Sequence, residues 1–459
     1  MKVTEGVRIL TGNPERAIVR LSFPMILGML LQTIYNFADA VWVSGLGYEA
    51  LSAIGLFFPV FMLVISVSSG VSIGVSSTIS RRIGAGDREA ASRAASYGVT
   101  LSLILGALIT ASLLLFLDDF VNFMTLSPHV AKLTLDYSLI VARGTIFIVL
   151  SMMLGGILRG EGDARRATYA LAAGSILNII LDPVFIYHLN LGISGAAYAT
   201  VLSTAISTLI LLYWLLIKRD AFVSISLRKI SLDREMREIL RVGIPSSVSQ
   251  LSMSISMFVL NTLVLIAGGE EGIAVFTSSW RVITFGIVPL FGVASATTAV
   301  TAAFYGARNI EKLERAYFYS IKLSLLIELV TSLIIILSAP QISLLFTSSA
   351  ESVKFCSELI LSMRTLSLFL PTTPLGMMTA SMFQGIGKGE RALAITIFRA
   401  IILQLLFAYL LLQFFSRSLI SVWLGMVLGN ALASIFALFW GIATLRTLRK
   451  FFSKNPEIF

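Results

Sequence analysis

Twelve stretches of this chain are each long and apolar enough to cross a lipid bilayer, which leaves few folds open. A spanning helix needs about 20 mostly apolar residues. The runs are 18–43, 51–79, 95–117, 134–157, 168–188, 193–217, 239–267, 273–303, 316–338, 356–383, 392–414 and 418–443. With 56% hydrophobic and only 13% charged residues among 459, the composition is that of a polytopic, all-α membrane protein.

Composition also narrows the chemistry. The single cysteine, Cys356, excludes an intrachain disulfide and a Cys-rich metal site. The two histidines, His129 and His188, are far apart and argue against a histidine metal cluster. A net charge of +10 would suit nucleic acid in a soluble chain. In a membrane chain it points to basic cytoplasmic loops, with no nucleic-acid partner. The first residues, MKVTEGVRILTGNPER, are polar and lack the apolar core of a cleavable signal.

Of the 35 Lys and Arg residues, 27 fall in the N-terminus, the loops after even-numbered spans and the C-terminus. Only Lys132, Lys354 and Arg417 occupy the alternate loops. Positive charge is retained on the cytoplasmic side, so both termini are expected there, in a multi-pass protein of the cell membrane.

The chain reads as two copies. Pro24 pairs with Pro245, GYEALSAIG (47–55) with GEEGIAVFT (269–277), IGAGD (83–87) with YGARN (305–309), and RGEGDARRA (159–167) with QGIGKGERA (384–392). The offset stays between 221 and 225. The expected units are an N-terminal lobe, 1–217, a basic linker, 218–238, and a C-terminal lobe with a short basic tail, 239–459. Six spans is an even number, so the copies run the same way through the membrane about a pseudo-twofold along its normal. Repeats of this kind are a transporter architecture, with a substrate cavity between the lobes.

Two aspartates sit inside apolar spans. An acid at a helix centre costs roughly 2.5–3.5 kcal/mol on insertion scales, and so marks a functional site. Asp39 is roughly 7 Å, and Asp182 roughly 9 Å, below the outer ends of the first and fifth spans; Thr200 is roughly 12 Å into the sixth. Gln32, Tyr35, Asn36 and Asp39 form one polar stripe at i, i+3, i+4 and i+7. Asn178 and Asp182 share a face, and Pro183 frees the carbonyl of Ile179 beside them. The second copy does not repeat this chemistry: the matching positions read Leu260 or Asn261, Leu403 and Phe407. A structural helix contact is the alternative, but polar glue in membranes is usually uncharged. Two carboxyls at one depth could carry a proton across, or with Asn178 and Thr200 could ligate Na⁺, a hard cation that wants oxygen. The sequence does not choose between these ions.

Other groups are less decisive. Pro24 removes a backbone hydrogen bond and is a hinge candidate, against a static kink. Glu328 is a third deep acid, either a second relay or a partner of Lys322 or another basic residue. Arg143, Arg281, Arg364 and Arg399 lie in or near spans, where pairing or snorkelling is expected. Asp136 reads as a solvated loop edge. Gly160-Glu161-Gly162-Asp163 matches the letters used by intramembrane aspartyl proteases, but a turn in a basic loop explains it better. Glu161 could still gate the inner mouth. No Walker motif is present, so ATP hydrolysis is not the drive.

The twelve spans in two halves, RGEGDARRA with its echo QGIGKGERA, and the acids with NIILDPVF on the fifth span resemble the multidrug and toxic compound extrusion (MATE) family. Its DinF-like branch, and archaeal MATE transporters in particular, are most similar. The resemblance implies bending of the first span at Pro24 in a protonated state, and places Tyr137 on the N-lobe cavity. It implies a secondary antiporter, not an enzyme, that exchanges H⁺ or Na⁺ for amphipathic, often cationic organic compounds. No cofactor is implied, and a monomer is expected. The 30 Phe and 15 Met are compatible with adaptable apolar walls. The alternative is a flippase for a lipid-linked saccharide or peptidoglycan precursor, which would be expected to carry arginines in its cavity. A membrane-embedded hydrolase is the third reading.

Overall fold

The structure is a computed structural model that describes residues 4–125, 127–218, 220–226, 233–346 and 355–454. Residues 227–232 of the basic linker, Lys354 and the end of the basic tail lie outside the described residues.

The described chain is helical. A short α1 (Glu5–Thr11) precedes α2 (Pro14–Ser44), α3 (Tyr48–Gly84), α4 (Arg88–Met124) and α5 (Pro128–Gly160). Next come α6 (Ala164–Pro183), which runs into a π turn at Val184–His188, and α7 (Ile193–Leu212). The second half holds α8 (Arg234–Gly306), α9 (Ile310–Phe346), α10 (Cys356–Ser367) and α11 (Thr373–Gly385). It ends with α12 (Gly389–Ile397), a π segment (Phe398–Leu403), α13 (Gln404–Phe414) and α14 (Leu419–Lys454). Local chemistry sets the starts. Asn13, Asp87, Ser127, Asp163 and Asp233 each accept a backbone N–H of the helix they precede.

Ten of the described helices are long and apolar enough to span a membrane. Two breaks bring the count to the expected twelve. α8 is 73 residues long and contains two spans joined at Gly269 (φ 63°, ψ −156°), a conformation that glycine tolerates. The tenth span is split between α10 and α11 around a 3₁₀ turn at Leu370–Thr372. Pro371 and Pro374 lack N–H groups there. Side chains take up carbonyls at the break: Ser332 Oγ donates to Ser367 O (2.9 Å), and Asn430 Nδ2 to Phe369 O (3.3 Å).

The two six-span lobes meet at one end. That end carries the arginine-rich loops, and is termed here the basic face. The largest cluster of buried apolar residues draws on both lobes, from Leu10, Ile18 and Ile79 to Phe304, Met382 and Leu445. The other clusters each belong to one lobe, around Phe276 and Trp423 in the second and around Phe57 and Ile186 in the first. The lobes therefore share a core at the basic face and part beyond it.

Glycine makes the closure tight. A Cβ on Gly84 would lie 1.8 Å from the Ala303 carbonyl oxygen, and one on Gly306 would lie 1.9 Å from that of Arg81. Backbones this close admit only hydrogen. Charge adds to the seal: Arg82 Nη2 pairs with Glu238 Oε1 at 2.7 Å, and Arg93 Nη2 with Glu235 Oε1 at 3.3 Å. Arg81 Nη1 donates to Gly385 O at 3.0 Å. Above this seal, side chains of both lobes line a cavity of about 470 Å³.

Candidate functional site

α2 runs unbroken through Pro24 and carries the polar stripe expected of the first span. Gln32 and Tyr35 line the cavity, as do Asn178 of α6 and Thr200 of α7. Asn178 Nδ2 donates to Thr200 Oγ1 at 3.4 Å, joining the two helices. Asn36 is exposed, and neither it nor Tyr137, also expected on the cavity, is among the lining residues.

Asp39 and Asp182 lie beyond that lining, toward the face opposite the basic one. Their carboxyl groups are near enough for one, when protonated, to hydrogen bond the other. Asp182 is fully buried and Asp39 half-buried. Oδ1 of Asp39, both oxygens of Asp182 and Oδ1 of Asn178 have no hydrogen-bond partner in the described structure. Buried acceptors without donors are costly. A proton shared by the pair, or a cation among these oxygens, would satisfy them. Among the described residues no group of three or more His, Cys, Asp or Glu could hold a metal. The donor set here is two carboxyls, an amide oxygen and a hydroxyl, which is hard-cation chemistry.

The surroundings hold this pair in place. The phenols of Tyr35 and Tyr137 lie within electrostatic range of both aspartates. Tyr137 packs edge-on against Phe57, with centroids 6.0 Å apart. Val43, Ala50, Ile186, Ile193 and Ala196 form an apolar cluster where α2 and the π turn after α6 end and α3 and α7 begin. Gly45 makes room for Tyr187, because a Cβ there would clash with its hydroxyl.

Glu161 sits elsewhere, in the turn between α5 and α6 at the basic face. It is 1% exposed, and its Oε2 accepts the N–H groups of Phe222 (2.9 Å) and Val223 (3.2 Å) from the linker. Burial pushes this carboxyl up to about 8 from 4.5, against the pull of those two bonds. Gly162 takes φ +84° in the same turn, and Asp163 caps α6. The turn is thus a cap that clamps the linker to the first lobe.

Glu328 of α9 is fully buried, and neither of its oxygens has a hydrogen-bond partner in the described structure. Lys322, one candidate partner, is exposed, and among the described residues no basic side chain pairs with Glu328. Asp136 is exposed but lies well inside α5 and not at a loop edge, and Arg143, Arg281 and Arg364 are exposed as well.

Arg399 departs from expectation. It neither snorkels nor pairs with an acid. It is 9% exposed, lines the cavity, and donates from Nη1 to Asn430 Oδ1 at 3.1 Å. Arg159 lines the cavity as well and reaches Ser72 Oγ at 3.4 Å. No acidic side chain is among the lining residues. Sequence spacing gave no warning, since the π segment that carries Arg399 shifts its direction around the helix.

The MatE family model matches residues 24–184 and 245–410, once in each half. A probable multidrug resistance protein NorM of Thermotoga maritima is 27% identical over 421 residues, 90% of this chain and 89% of its own length. A solved outward-facing structure of a multidrug resistance MATE family transporter is 51% identical, with a TM-score of 0.95 over 98% of this chain and 100% of that one. A second, from Pyrococcus furiosus, is described as a MOP superfamily transporter whose binding pocket has reversed polarity, suggesting a different function. It is 51% identical, with a TM-score of 0.94 over 98% and 100% of the two chains.

Proposed function

The chain belongs to the MATE family of multidrug efflux transporters, and we propose that it is an antiporter driven by H⁺ or Na⁺ through Asp39 and Asp182. It is a multi-pass membrane transporter and not an enzyme. The single observation behind the antiport reading is the facing pair of carboxyls whose oxygens lack donors.

In this cycle an amphipathic organic compound enters the cavity from the cytoplasm, the side of both termini. The lobes rock to open outward. H⁺ or Na⁺ then binds at Asp39 and Asp182, supported by Asn178, Thr200 and Tyr35. α2 rearranges near Pro24, the cavity shrinks and the compound leaves. The cation is carried inward as the lobes reset. The protein acts as a monomer, without a cofactor. Dye efflux from proteoliposomes under an imposed ΔpH or ΔNa⁺ alone tests this. Efflux driven by one gradient is the expected result, and efflux that ignores both sinks the reading.

One observation favours a second reading, a flippase for a lipid-linked saccharide or peptidoglycan precursor. The charged residues on the cavity wall are Arg159 and Arg399, whereas the two aspartates lie beyond the lining. Cations are what a phosphate-bearing substrate asks of a cavity. The reversed pocket polarity described for the Pyrococcus furiosus transporter runs parallel to this.

A further inference from the structure

We propose that Arg399 is the head-group site for an anionic amphiphile, gripping a phosphate, sulfonate or carboxylate while the tail lies on the apolar wall beside it. The proposal rests on the cavity being the substrate chamber, and it assigns the charge of what binds there.

The guanidinium is built into place. Asn430 is fully buried, and its Nδ2 donates toward Thr372 Oγ1 (2.7 Å), Thr373 Oγ1 (3.2 Å) and Phe369 O (3.3 Å). Those acceptors fix the amide, so its Oδ1 must face Arg399. The acceptors come from the break in the tenth span, where Pro371 interrupts the helix. Irregular backbone at membrane depth survives where it lines a cavity. The break thus orients Asn430, and Asn430 orients Arg399.

Among the described residues the cation has no counter-charge. Guanidinium carries five N–H donors, and the structure gives Arg399 one hydrogen bond, to a neutral amide. A charge held away from water needs an opposite charge or a full set of hydrogen bonds. Its planar fork matches an oxyacid group. The first-lobe positions at the repeat offset, 174–178, carry no charge, so this cation belongs to the second lobe alone.

The rest of the wall selects an amphiphile over a bare anion. Met253, Met257, Trp280, Phe291, Phe369 and Met377 line the same cavity. About 470 Å³ suits one head and a single short tail. Arg159, nearer the basic face, adds a second positive charge on the wall. Head and coupling cation occupy different lobes. Coupling then acts through the shape of the cavity as α2 moves, without competition for one group.

The test uses the full chain in neutral maltoside micelles, with binding read by calorimetry. The probes are dodecyl phosphate, dodecyltrimethylammonium, inorganic phosphate and a diacyl phosphatidate. Dodecyl phosphate should bind at least tenfold more tightly than dodecyltrimethylammonium, and inorganic phosphate should fail to bind. Arg399→Gln should weaken dodecyl phosphate at least tenfold, and Arg399→Lys should restore most of the loss. In the wild-type protein, dodecyl phosphate should slow phenylglyoxal modification of Arg399, which keeps the test open if Arg399→Gln does not fold. Phosphatidate binding with the same Arg399 dependence would support the site with a bilayer lipid as the source. Equal or tighter binding of the ammonium probe, binding of inorganic phosphate as tight as that of dodecyl phosphate, or an unprotected Arg399 would overturn it. Binding is read without transport, so failure of gradient-driven efflux would sink the antiport reading and leave this result standing.

Discussion

The Tyr187 hydroxyl donates a 2.5 Å hydrogen bond to the backbone carbonyl of Trp42, tying the π turn after α6 to the end of α2. The two rings meet edge-on, with centroids 6.3 Å apart. This tie lies just beyond Asp39 and Asp182 and involves neither carboxyl. The helices that carry the acids are therefore held together by contacts independent of them.

Asp39→Asn and Asp182→Asn should each abolish gradient-coupled efflux while the protein still folds. The amide keeps the size of the acid but cannot load a proton, and offers one fewer oxygen to Na⁺. Efflux from proteoliposomes and the thermal midpoint of the purified variants measure the two effects. Wild-type coupling in either variant removes that residue from the mechanism.

The basic-face seal should yield to loss of Glu238. This carboxylate accepts from Arg81, Arg82 and Arg234. Arg81 and Arg82 are largely buried, so Glu238→Gln leaves their charges poorly compensated. The net cost of closure should be about 1–3 kcal/mol, given that the pair is partly solvated. The expected outcome is a population open at the basic face. Maleimide labelling of a Ser76→Cys reporter, on the inner cavity wall, should become at least five times faster. An unchanged rate would show that the ion pairs do not hold the seal.

Steric closure makes a separate prediction. Gly84→Ala places a methyl group 1.8 Å from a backbone oxygen, where no side-chain rotation can relieve it. Overpacking of this kind typically costs about 1–3 kcal/mol. The variant should be less thermostable and should also label faster at Ser76→Cys. Gly86→Ala is not a steric control, because Gly86 has φ +77° and its strain is local. Gly55→Ala, with nothing within 4 Å, should change neither measurement.

Glu161 predicts a pH dependence for linker docking. Its carboxyl stands at about 8 when docked against 4.5 when free, so the docked form binds more protons between these values. Its contribution to docking is full below about pH 4.5 and is lost as pH rises through about 8. Hydrogen-exchange protection factors of Phe222 and Val223, corrected for intrinsic rates, should fall across that window. Glu161→Gln should flatten the profile. A flat wild-type profile would falsify the assignment.

Much of the fold was legible because hydropathy and repetition are properties of the chain itself. The apolar runs predict twelve spans, and the structure shows why a count of long helices gives ten. One glycine lets two spans merge, and two prolines split another. Residue counting sets the expected depth of Asp39 and Asp182, since rise per residue is fixed. Azimuth was less accessible. Asn36 shares the stripe arithmetic of Tyr35, yet it is exposed and Tyr35 is on the wall. Lys322 stands six residues from Glu328, a spacing that does not put two side chains on one helix face, and packing leaves it exposed.

Sequence by itself determined that this chain crosses a membrane twelve times in two related halves, with Asp39 and Asp182 of the first half unmatched in the second. These features depend on local apolarity, helix rise and residue identity, none of which needs a partner helix. Tertiary structure decided that the acids meet and that the lobes close at the basic face. It also decided that Arg399 and Arg159, not the aspartates, carry the charge on the cavity wall. Those outcomes turn on which way each helix faces and on how closely two backbones approach. A π turn, a proline break or a missing Cβ sets both.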